Sequence, residues 1–317
     1  IISLLVNAQN QSKLEKIFET FKVDTVYHAA AYKHVPLVEE NICEGVENNV
    51  FSTLAIAKAS ILKKVSNLVF VSSDKAVRPT NIMGASKRLA ELCMQAINED
   101  IKDTSTNFSI VRFGNVLESS GSVIPKFKNQ IKNGGPVTLT HKDVTRYFMT
   151  VTEAAQLVIQ AGAMGKKSEV FILDMGESIK IIDLIHKMIN LSGLSIKDNK
   201  NPEGDIEVKI TGLRPGEKLY EELLIGENSQ KTNHPRIQKT EESFIPFNQL
   251  ELDLNNLKKL INENKANEVK KLLDNILKLY KSNSQIVDSI YTEQLFSSSL
   301  QKSSQLNEKK NKVVKIK

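Results

Sequence analysis

Short apolar runs rich in β-branched residues alternate along the chain with longer segments of helical periodicity. Four of these runs have the length and composition of buried strands, at 25–31, 67–71, 108–113 and 169–173. Continuous apolar runs are typical of parallel strands that helices cover on both faces. The alternation of strands and helices therefore predicts an α/β fold with a doubly wound, Rossmann-like parallel sheet and right-handed crossovers.

The spacing of apolar residues also defines the remaining elements. It predicts helices at 12–21, 46–62, 81–98, 124–132, 152–163 and 181–191, with Ser12 and Thr152 as N-caps. Further short strands are predicted at 1–6, 137–140 and 206–210, and 212–218 is predicted to be a loop leading into a short helix. From Leu254 to Tyr280 the period is helical, which indicates a two-helix hairpin.

These elements divide the chain into four predicted parts. They are a Rossmann-like domain at 1–178, a smaller α/β region at 179–248, the helical hairpin at 249–281 and a basic, disordered tail at 282–317. We expect residues 115–149 of the first part to contribute to the substrate site.

The start of the sequence lacks a feature that nucleotide-binding sheets usually have. Their first strand leads into a glycine-rich turn, which lets a phosphate approach the N-terminus of the next helix. Here the first glycine is Gly45, and Ile1 begins without a methionine in what reads as the middle of a strand. We therefore expect the first β–α units to be missing, and this chain alone to bind dinucleotide weakly and to have little or no activity.

Composition and charge limit the classes of protein to which the chain can belong. With 40% apolar and 25% charged residues the chain is typical of soluble globular proteins. Six lysines and one acidic residue at 301–317 account for five of its six net positive charges, so no nucleic-acid partner is expected. No apolar run reaches the ~20 residues that span a bilayer. Cys43 and Cys93 lie far apart, which suggests a reducing compartment and no metal site.

Small and ionisable residues crowd the carboxyl end of the predicted strand 67–71, where open α/β sheets bind their ligands. An adjacent carboxyl and amine can shift each other's pKa and take opposite roles in proton transfer. We therefore predict an active site at 71–88. The candidate residues that follow from this pattern are Asp74 and Lys75.

Three motifs occur here in the order and spacing of one family. They are HAAAYKHVPL at 28–37, VSSDKAVRPTNIMGASKR at 71–88 and LRPGEK at 213–218. Through them, and over about residues 1–280, the chain resembles the bacterial polysaccharide biosynthesis proteins of the CapD-like type. These are nucleotide-sugar 4,6-dehydratases of the extended short-chain dehydrogenase/reductase superfamily. The Met-x-x-x-Lys pattern at 83–87 resembles their large, membrane-anchored branch.

The resemblance implies a reaction on a UDP-N-acetylhexosamine, with UDP-N-acetylglucosamine the first candidate. A tightly bound NAD or NADP would take hydride from sugar C4, a base would remove the C5 proton, the C6 hydroxyl would leave as water, and hydride would return to C6. The product is a 4-keto-6-deoxy sugar for surface polysaccharide or glycan. The resemblance also implies a homo-oligomer on the cytoplasmic side, anchored in the bacterial inner membrane through a region outside this sequence.

The resemblance also suggests roles for individual residues. Asp74 and Lys75 correspond to the acid and base of the elimination, and Lys87 to the lysine that binds the nicotinamide ribose. Met83 stands where the superfamily usually has a tyrosine base, and methionine cannot transfer a proton. For oxidation at C4 two options stay open: Ser72 or Ser73 orients the sugar hydroxyl, or Lys87 acts through water.

The weaker assignments lie in the flanking motifs. The residues expected to contact or support the cofactor are Ala29, Ala30, Ala31, Tyr32, Lys33, Asn49, Ser72 and Lys87. The expected substrate ligands are Asn115, Arg146, Arg214 and Glu217, and the region 179–248 is expected to bind the nucleotide sugar. Arginine suits a diphosphate because its donors form a two-pronged fork. His28 and His34 are expected to be packed, hydrogen-bonded side chains.

Two other functions compete with the dehydratase. A 4-epimerase of the same superfamily would also oxidise C4, but simple epimerisation needs no acid–base pair for C5 and C6, so the adjacent Asp74 and Lys75 favour elimination. A non-catalytic nucleotide-binding scaffold is the third interpretation, because Met83 replaces the usual tyrosine and the phosphate turn is absent.

Overall fold

The computed structural model describes residues 1–100, 105–166, 168–224, 229–281 and 285–297. Its strands are β1 (Thr25–His28), β2 (Asn67–Val71), β3 (Asn107–Arg112), β4 (Asn115–Val116), β5 (Val137–Leu139), β6 (Thr145–Arg146), β7 (Phe148–Met149), β8 (Glu169–Leu173), β9 (Ile179–Lys180), β10 (Ile196–Lys197), β11 (Ile206–Ile210), β12 (Ser229–Lys231) and β13 (Ile237–Thr240).

Its helices are α1 (Gln11–Phe21), α2 (Val35–Glu40), α3 (Ile42–Val46), α4 (Ser52–Leu62), α5 (Ile82–Asp100), α6 (Val123–Lys132), α7 (Val151–Met164), α8 (Ile181–Leu191), α9 (Phe247–Asn262) and α10 (Ala266–Ile276). A π-helical turn, Glu47–Phe51, joins α3 to α4, and a 3₁₀ turn, Asp74–Ala76, lies between β2 and α5.

A six-stranded sheet lies at the centre of the molecule, in the order β1-β2-β3-β8-β13-β12. The first four strands are parallel and the last two are antiparallel additions. Helices cover both faces of β2 and β3, with α4 and α5 on one side and α7 on the other. The predicted doubly wound parallel α/β fold is therefore confirmed.

The hairpin of α9 and α10 packs over α5 and completes the largest apolar core. For this reason α5, which has an amphipathic sequence, is buried at every residue from Ile82 to Ile97. A second, smaller core joins α6 and α8 to the three-stranded sheet β10-β11-β5. Among the described residues, no helix is both long and apolar enough to cross a membrane.

Several predicted elements differ from the structure. Residues 1–6 form no strand and are mostly exposed, because no neighbouring strand pairs with them. The helix at 46–62 is divided by the π-helical turn, and residues 219–224, after the loop, are not helical. Thr150, rather than Thr152, caps α7, since its side chain forms a reciprocal capping box with Glu153.

Two further corrections concern the ends of the chain. Asn10, rather than Ser12, caps α1. The predicted disorder of the tail is wrong for 285–297, where residues 289–297 are helical. Asp288 is buried there and accepts a hydrogen bond from the Ile42 amide at 2.8 Å, which attaches this segment to the start of α3. Residues 282–284 and 298–317, the rest of the tail, lie outside the described residues.

Candidate active site

The 3₁₀ turn after β2 places an acid and an amine at the carboxyl end of the sheet. Ser73 caps the turn by accepting from the Lys75 amide, and the Asp74 amide donates to the Phe113 carbonyl at 3.0 Å. Gly84, at the start of α5, lies against this turn, because a Cβ atom there would be 2.2 Å from the Lys75 carbonyl oxygen. A side chain at Gly84 would therefore displace the turn.

Asp74 and Lys75 form a buried ion pair. The Lys75 amine donates to Asp74 Oδ1 at 3.0 Å, and the Ser73 hydroxyl donates to the same oxygen at 2.8 Å. Asp74 Oδ2 is buried without a hydrogen-bond partner among the described residues. Burial lowers the pKa of Lys75, but the nearby charges of Asp74 and Glu221 outweigh it and raise the pKa overall. Lys75 therefore rests as an ammonium.

Lys75 lies where two cavities meet. The strand-end cavity has a volume of about 350 Å³, and its lining includes Ala29, Ala31, Ser72, Ser73, Met83 and Lys87. The outer cavity has a volume of about 680 Å³, and its lining includes Arg146, Arg214, Glu217 and Glu221. Both are lined by Lys33, His34, Lys75, Asn115 and Gly121. The Lys75 side chain, 20% exposed, can therefore reach a ligand in either cavity.

Met83 and Lys87 lie one helical turn apart on α5 and both line the strand-end cavity. Met83 is buried in the main core. The Lys87 amine donates to the Val71 carbonyl at 2.7 Å and lies 4.8 Å from the centre of the Phe70 ring. Burial lowers the pKa of Lys87 to about 8, although the charge of Glu91 acts in the opposite direction. Lys87 can therefore exchange a proton near neutral pH.

The small residues after β1 form one wall of the strand-end cavity. Ala29, Ala31 and Lys33 line it, whereas Ala30 and Tyr32 do not. Instead, the Tyr32 ring lines a separate small cavity. Asn49, in the π-helical turn, accepts from the Tyr32 amide at 2.7 Å and donates to its carbonyl at 3.0 Å. The geometry of Asn49 is that of a support for the backbone at Tyr32, and a role towards the cofactor stays a prediction.

Ser72 faces a separate group of charges. Its hydroxyl donates to Glu91 at 2.6 Å, and Glu91 pairs with both Arg88 and Arg112. Glu242 completes this arginine–glutamate quartet by pairing with the same two arginines. The arginines hold the pKa of Glu91 at about 2, against the effect of its burial. Both serine hydroxyls are hydrogen-bonded, but Ser72 is buried whereas Ser73 is partly exposed, so Ser73 is the more accessible of the two to a ligand.

The two predicted arginine ligands differ in their surroundings. Arg146 is buried and donates to the backbone carbonyls of Thr145, Lys218 and Leu219 at 2.7–3.2 Å. Arg214 is exposed, lines the outer cavity, and its guanidinium forms no hydrogen bond or ion pair within the described part of the chain. The geometry of Arg146 is thus that of a support for the 217–221 segment, and its role as a ligand stays a prediction.

Residues of the Arg-Pro-Gly-Glu loop contact both parts of the site. Glu217 accepts from the Thr140 hydroxyl at 2.9 Å and lies 3.6 Å from Arg146. Asn115, after β3, contacts the Lys75 amine at 3.4 Å. Gly216, with φ of +71°, presents its carbonyl to the Thr80 hydroxyl at 2.7 Å. The loop that carries the predicted substrate ligands is therefore joined to the connection between β2 and α5.

Sequence reasoning missed Glu221. This glutamate follows the Arg-Pro-Gly-Glu loop, its side chain is 4% exposed, and its Oε1 lies 3.6 Å from the Lys75 amine. In the sequence it is one of two adjacent glutamates, and the other, Glu222, is an exposed partner of Arg78. Nothing in the local pattern distinguishes the two; only the fold does.

The two histidines of the first motif differ: His28 is packed, whereas His34 is half-buried and lines both cavities. His28 is buried and hydrogen-bonded to the Thr53 hydroxyl at 2.9 Å, and burial, followed by the charge of Lys87, lowers its pKa to about 3. His34 lies against Gly121, where a Cβ atom would be 2.1 Å from the imidazole ring. His28 is thus neutral at physiological pH.

The residues present fit the nicotinamide end of a dinucleotide. The side chains of Ala29 and Ala31 are small and leave room beside the backbone for a flat ring. Lys87 and Val71, which are joined by a hydrogen bond, line the same cavity. No glycine-rich phosphate turn occurs before Gly45 in this sequence.

Comparison with known proteins identifies the family. The model of the polysaccharide biosynthesis protein family matches residues 1–242. The capsular polysaccharide biosynthesis protein CapD of Staphylococcus aureus is 51% identical over 223 residues, which are 70% of this chain and 36% of CapD. A UDP-glucose 4-epimerase of Rickettsia massiliae is 36% identical, over 68% of this chain and 60% of that protein.

A solved structure agrees with these sequence matches. The structure of Pen from Bacillus thuringiensis is 37% identical, with a TM-score of 0.66, and the match covers 74% of this chain and 71% of Pen. The chain spans about a third of the length of CapD. Since the family model covers most of the chain, including every predicted site residue, the chain belongs to the polysaccharide biosynthesis protein family.

Proposed function

We propose that this chain carries the catalytic site of an NAD(P)-dependent nucleotide-sugar 4,6-dehydratase. Its substrate is a UDP-N-acetylhexosamine, with UDP-N-acetylglucosamine the first candidate, and its product is a 4-keto-6-deoxy sugar for surface polysaccharide or glycan. One observation carries the proposal: Lys75, joined to the buried Asp74 at 3.0 Å, lines both cavities where they meet. The family name and the CapD match support the biosynthetic context.

The pair can carry out both proton transfers of the elimination. One proton leaves sugar C5 and one joins the departing C6 hydroxyl, so that one water forms with no net change in protons. Because Lys75 rests as an ammonium beside a carboxylate, Lys75 is the proton donor and Asp74 the acceptor. Lys75 is the accessible member of the pair, whereas the Asp74 side chain is 1% exposed, so Asp74 exchanges protons with the sugar by way of Lys75 or after a side-chain rotation.

Lys87 is the best candidate for the C4 base. A bound nicotinamide supplies the chemistry of taking hydride from C4 and returning it to C6. The C4 hydroxyl must lose a proton in the first of these steps, and Met83 cannot accept it. Lys87 lines the same cavity and has a pKa of about 8, which suits a general base at neutral pH. Ser73, which lines the same cavity, could orient the sugar hydroxyl by exchanging its hydrogen bond to Asp74 for one to the ligand.

We assign one ligand to each cavity. The strand-end cavity would hold the nicotinamide, against Ala29, Ala31 and Lys87. The outer cavity would hold the nucleotide sugar, with the exposed guanidinium of Arg214 directed to the diphosphate. In this proposal residues 1–178 bind the cofactor, 179–248 bind the nucleotide sugar and 249–281 support α5. We also propose a homo-oligomer, on the cytoplasmic side of a membrane to which the parent protein is anchored.

The test is to incubate the protein with UDP-N-acetylglucosamine and NAD or NADP at high protein concentration and to analyse the sugar nucleotide by mass spectrometry. Loss of one water, with incorporation of solvent deuterium at C5, is the expected result. Lys75→Met should abolish both signals, and the surface variant Lys63→Met serves as the control. A product of unchanged mass would reject the dehydratase.

A 4-epimerase is the second candidate, because the Rickettsia massiliae relative bears that name. An epimerase needs the C4 base and the cofactor but no elimination pair. It would yield an isobaric product, and its turnover would survive the replacement of Asp74 by Asn. The same mass-spectrometric assay therefore separates the two activities.

A further inference from the structure

Glu221 carries a carboxylate that is buried but only partly satisfied. Its Oε1 lies 3.6 Å from the Lys75 amine and 3.9 Å from Arg146 Nε, both longer than good hydrogen bonds. Its Oε2 has no hydrogen-bond partner among the described residues. A buried carboxylate oxygen without a partner costs free energy, so its presence requires a reason other than stability.

The backbone around Glu221 is fixed from two sides. The Lys218 amine donates to the Val77 carbonyl at 2.9 Å, next to the catalytic turn. From the other side, Arg146 donates to the carbonyls of Lys218 at 2.9 Å and Leu219 at 3.2 Å. The position of Glu221 relative to Lys75 is therefore set by contacts that do not involve its own carboxylate.

Four charged side chains form this cluster, which we call the Lys75 cluster: Asp74 and Lys75 on the 3₁₀ turn, Arg146 on β6, and Glu221 after the Arg-Pro-Gly-Glu loop. Arg146 also lies 3.6 Å from the partly exposed Glu217, at the edge of the cluster, so the carboxylates outnumber the cations. If Lys75 lost its proton, the excess of buried negative charge would grow, which low-dielectric surroundings disfavour. If Glu221 were neutral, that excess would be one charge smaller, and Lys75 would lose its proton more readily.

We propose that Glu221 is a positioning residue for Lys75, which keeps the Lys75 amine protonated and directed at the junction of the two cavities. The inference rests on the proposed function, because it assigns a role within the same site. In catalytic terms, Lys75 gives its proton to the leaving C6 hydroxyl and regains one from Asp74, which has taken the C5 proton. The charge of Glu221, 3.6 Å away, favours this return and so the donor form of Lys75.

The test measures the protonation of Lys75 directly, in the whole chain and without ligands. Acetic anhydride acylates only neutral amines, so the extent of acylation of the Lys75 peptide is measured by mass spectrometry over a series of pH values. Removing an opposite charge at this distance should lower the midpoint of acylation by about one pH unit, so that the neutral fraction at a given pH rises about tenfold. This is the expected result for Glu221→Gln.

Two further variants make the result specific. Glu222→Gln is the matched control, because Glu222 is the adjacent, exposed glutamate and pairs with Arg78 at 2.5 Å rather than with Lys75; its midpoint should equal that of the unaltered protein. Glu221→Asp keeps the charge on a shorter side chain, and its midpoint should lie closer to the unaltered protein than that of Glu221→Gln. If Glu221→Gln does not fold, Glu221→Leu replaces it, with the same expected fall.

An unchanged Lys75 midpoint in a folded Glu221→Gln or Glu221→Leu variant would overturn the proposal. Because acylation needs neither sugar nor cofactor, the outcome does not depend on turnover. A lowered midpoint in a protein that removes no water from UDP-N-acetylglucosamine keeps the positioning role and rejects the dehydratase. An unchanged midpoint in a protein with normal turnover rejects the positioning role alone.

Discussion

Two clusters of buried charge lie on either side of the connection between β2 and α5, and they are built differently. The arginine–glutamate quartet includes Glu91 of α5, which accepts a hydrogen bond from the Ser72 hydroxyl. The Lys75 cluster begins at Asp74, two residues later along the chain. Each cluster is built on two cations and two carboxylates, with Glu217 as a further carboxylate at the edge of the Lys75 cluster, so the residue types do not distinguish them. The difference lies in how many oxygen atoms have partners.

In the quartet every carboxylate oxygen accepts. Glu91 Oε1 accepts from Ser72 and from Arg112 Nε, and Oε2 accepts from Arg88 and Arg112 at 2.6–2.9 Å. The Glu242 oxygens accept from the same two arginines at 2.5–2.9 Å. A saturated network of this kind has no capacity left for a ligand, and its contacts fix α5, β3 and the segment after β13 relative to one another.

In the Lys75 cluster one oxygen of each carboxylate has no hydrogen-bond partner within the described part of the chain. Asp74 and Glu221 both face a single ammonium, which is also the only one of the three side chains with substantial exposure. Unused hydrogen-bonding capacity beside a cavity is what proton transfer to a substrate requires. The comparison therefore separates a cluster that holds the fold from one that acts on a ligand, although the sequence offers the same residue types in both.

The largest effect that we expect is on turnover, from Asp74→Asn. The amide keeps the shape and still accepts from Lys75 and Ser73, so the free energy of unfolding should change by no more than about 1 kcal/mol. Loss of the proton acceptor should lower turnover by about 10²- to 10⁴-fold. Single-turnover mass spectrometry and urea unfolding measure the two effects.

The exposed Asp143, near His141, supplies the control variant Asp143→Asn, which should change neither quantity. Turnover within a factor of two or so of the unaltered protein in Asp74→Asn would contradict the proposed role of the Lys75 cluster. A large loss of stability would show that Asp74 belongs with the saturated type of cluster.

The opposite pattern is expected for the quartet. Arg112→Met leaves Glu91 and Glu242 buried with only Arg88 to compensate them, and breaking a buried pair in this way costs about 3–5 kcal/mol of unfolding free energy. Chemical denaturation measures the loss. Arg236→Met is the control, since its pair with Glu153 is about 40% exposed and should contribute no more than about 1 kcal/mol. Equal losses in the two variants would refute the distinction.

The members of these two clusters are not equally easy to predict from the sequence. Asp74 and Lys75 are adjacent at a strand end, so a local rule finds them. Glu221 and Glu242 join their clusters through contacts with residues 130 or more positions away, and no local pattern distinguishes either from an exposed neighbour. The parallel sheet was predictable because each buried strand is a continuous apolar run. The burial of both faces of α5 was not, because it depends on the distant hairpin of α9 and α10.

Gly84→Ala tests how closely α5 must approach the catalytic turn. In a helix interior Ala normally stabilises relative to Gly by up to about 1 kcal/mol. Here the new Cβ atom would lie 2.2 Å from the Lys75 carbonyl and 3.2 Å from Pro79 Cβ, and backbone must move to admit it. We expect a net loss of about 1–3 kcal/mol in the free energy of unfolding. A gain in the free energy of unfolding would show that the 3₁₀ turn at Asp74–Ala76 can move aside without an energetic penalty.

The smallest expected effect compares two buried lysines with opposite pKa shifts. The pKa of Lys87 is lowered by burial from 10.5 to about 8 in the folded protein. Between these pH values the unfolded chain holds more protons at this position than the folded chain, so Lys87 makes the free energy of unfolding rise with pH in that window. Lys75 has a raised pKa, so its contribution is lost only above its ordinary value of 10.5.

The measurement is urea unfolding from pH 7.5 to 10 for the unaltered protein and for Lys87→Met, which removes the titrating amine and keeps a side chain of similar length. Burial also raises the pKa of Cys43 to about 11, which gives a slope of the opposite sign above pH 9, but that term is common to both proteins. The difference between them isolates Lys87, and it should grow in the positive direction from pH 8 upward. Parallel curves would mean that Lys87 keeps its ordinary pKa, and would remove it as the C4 base.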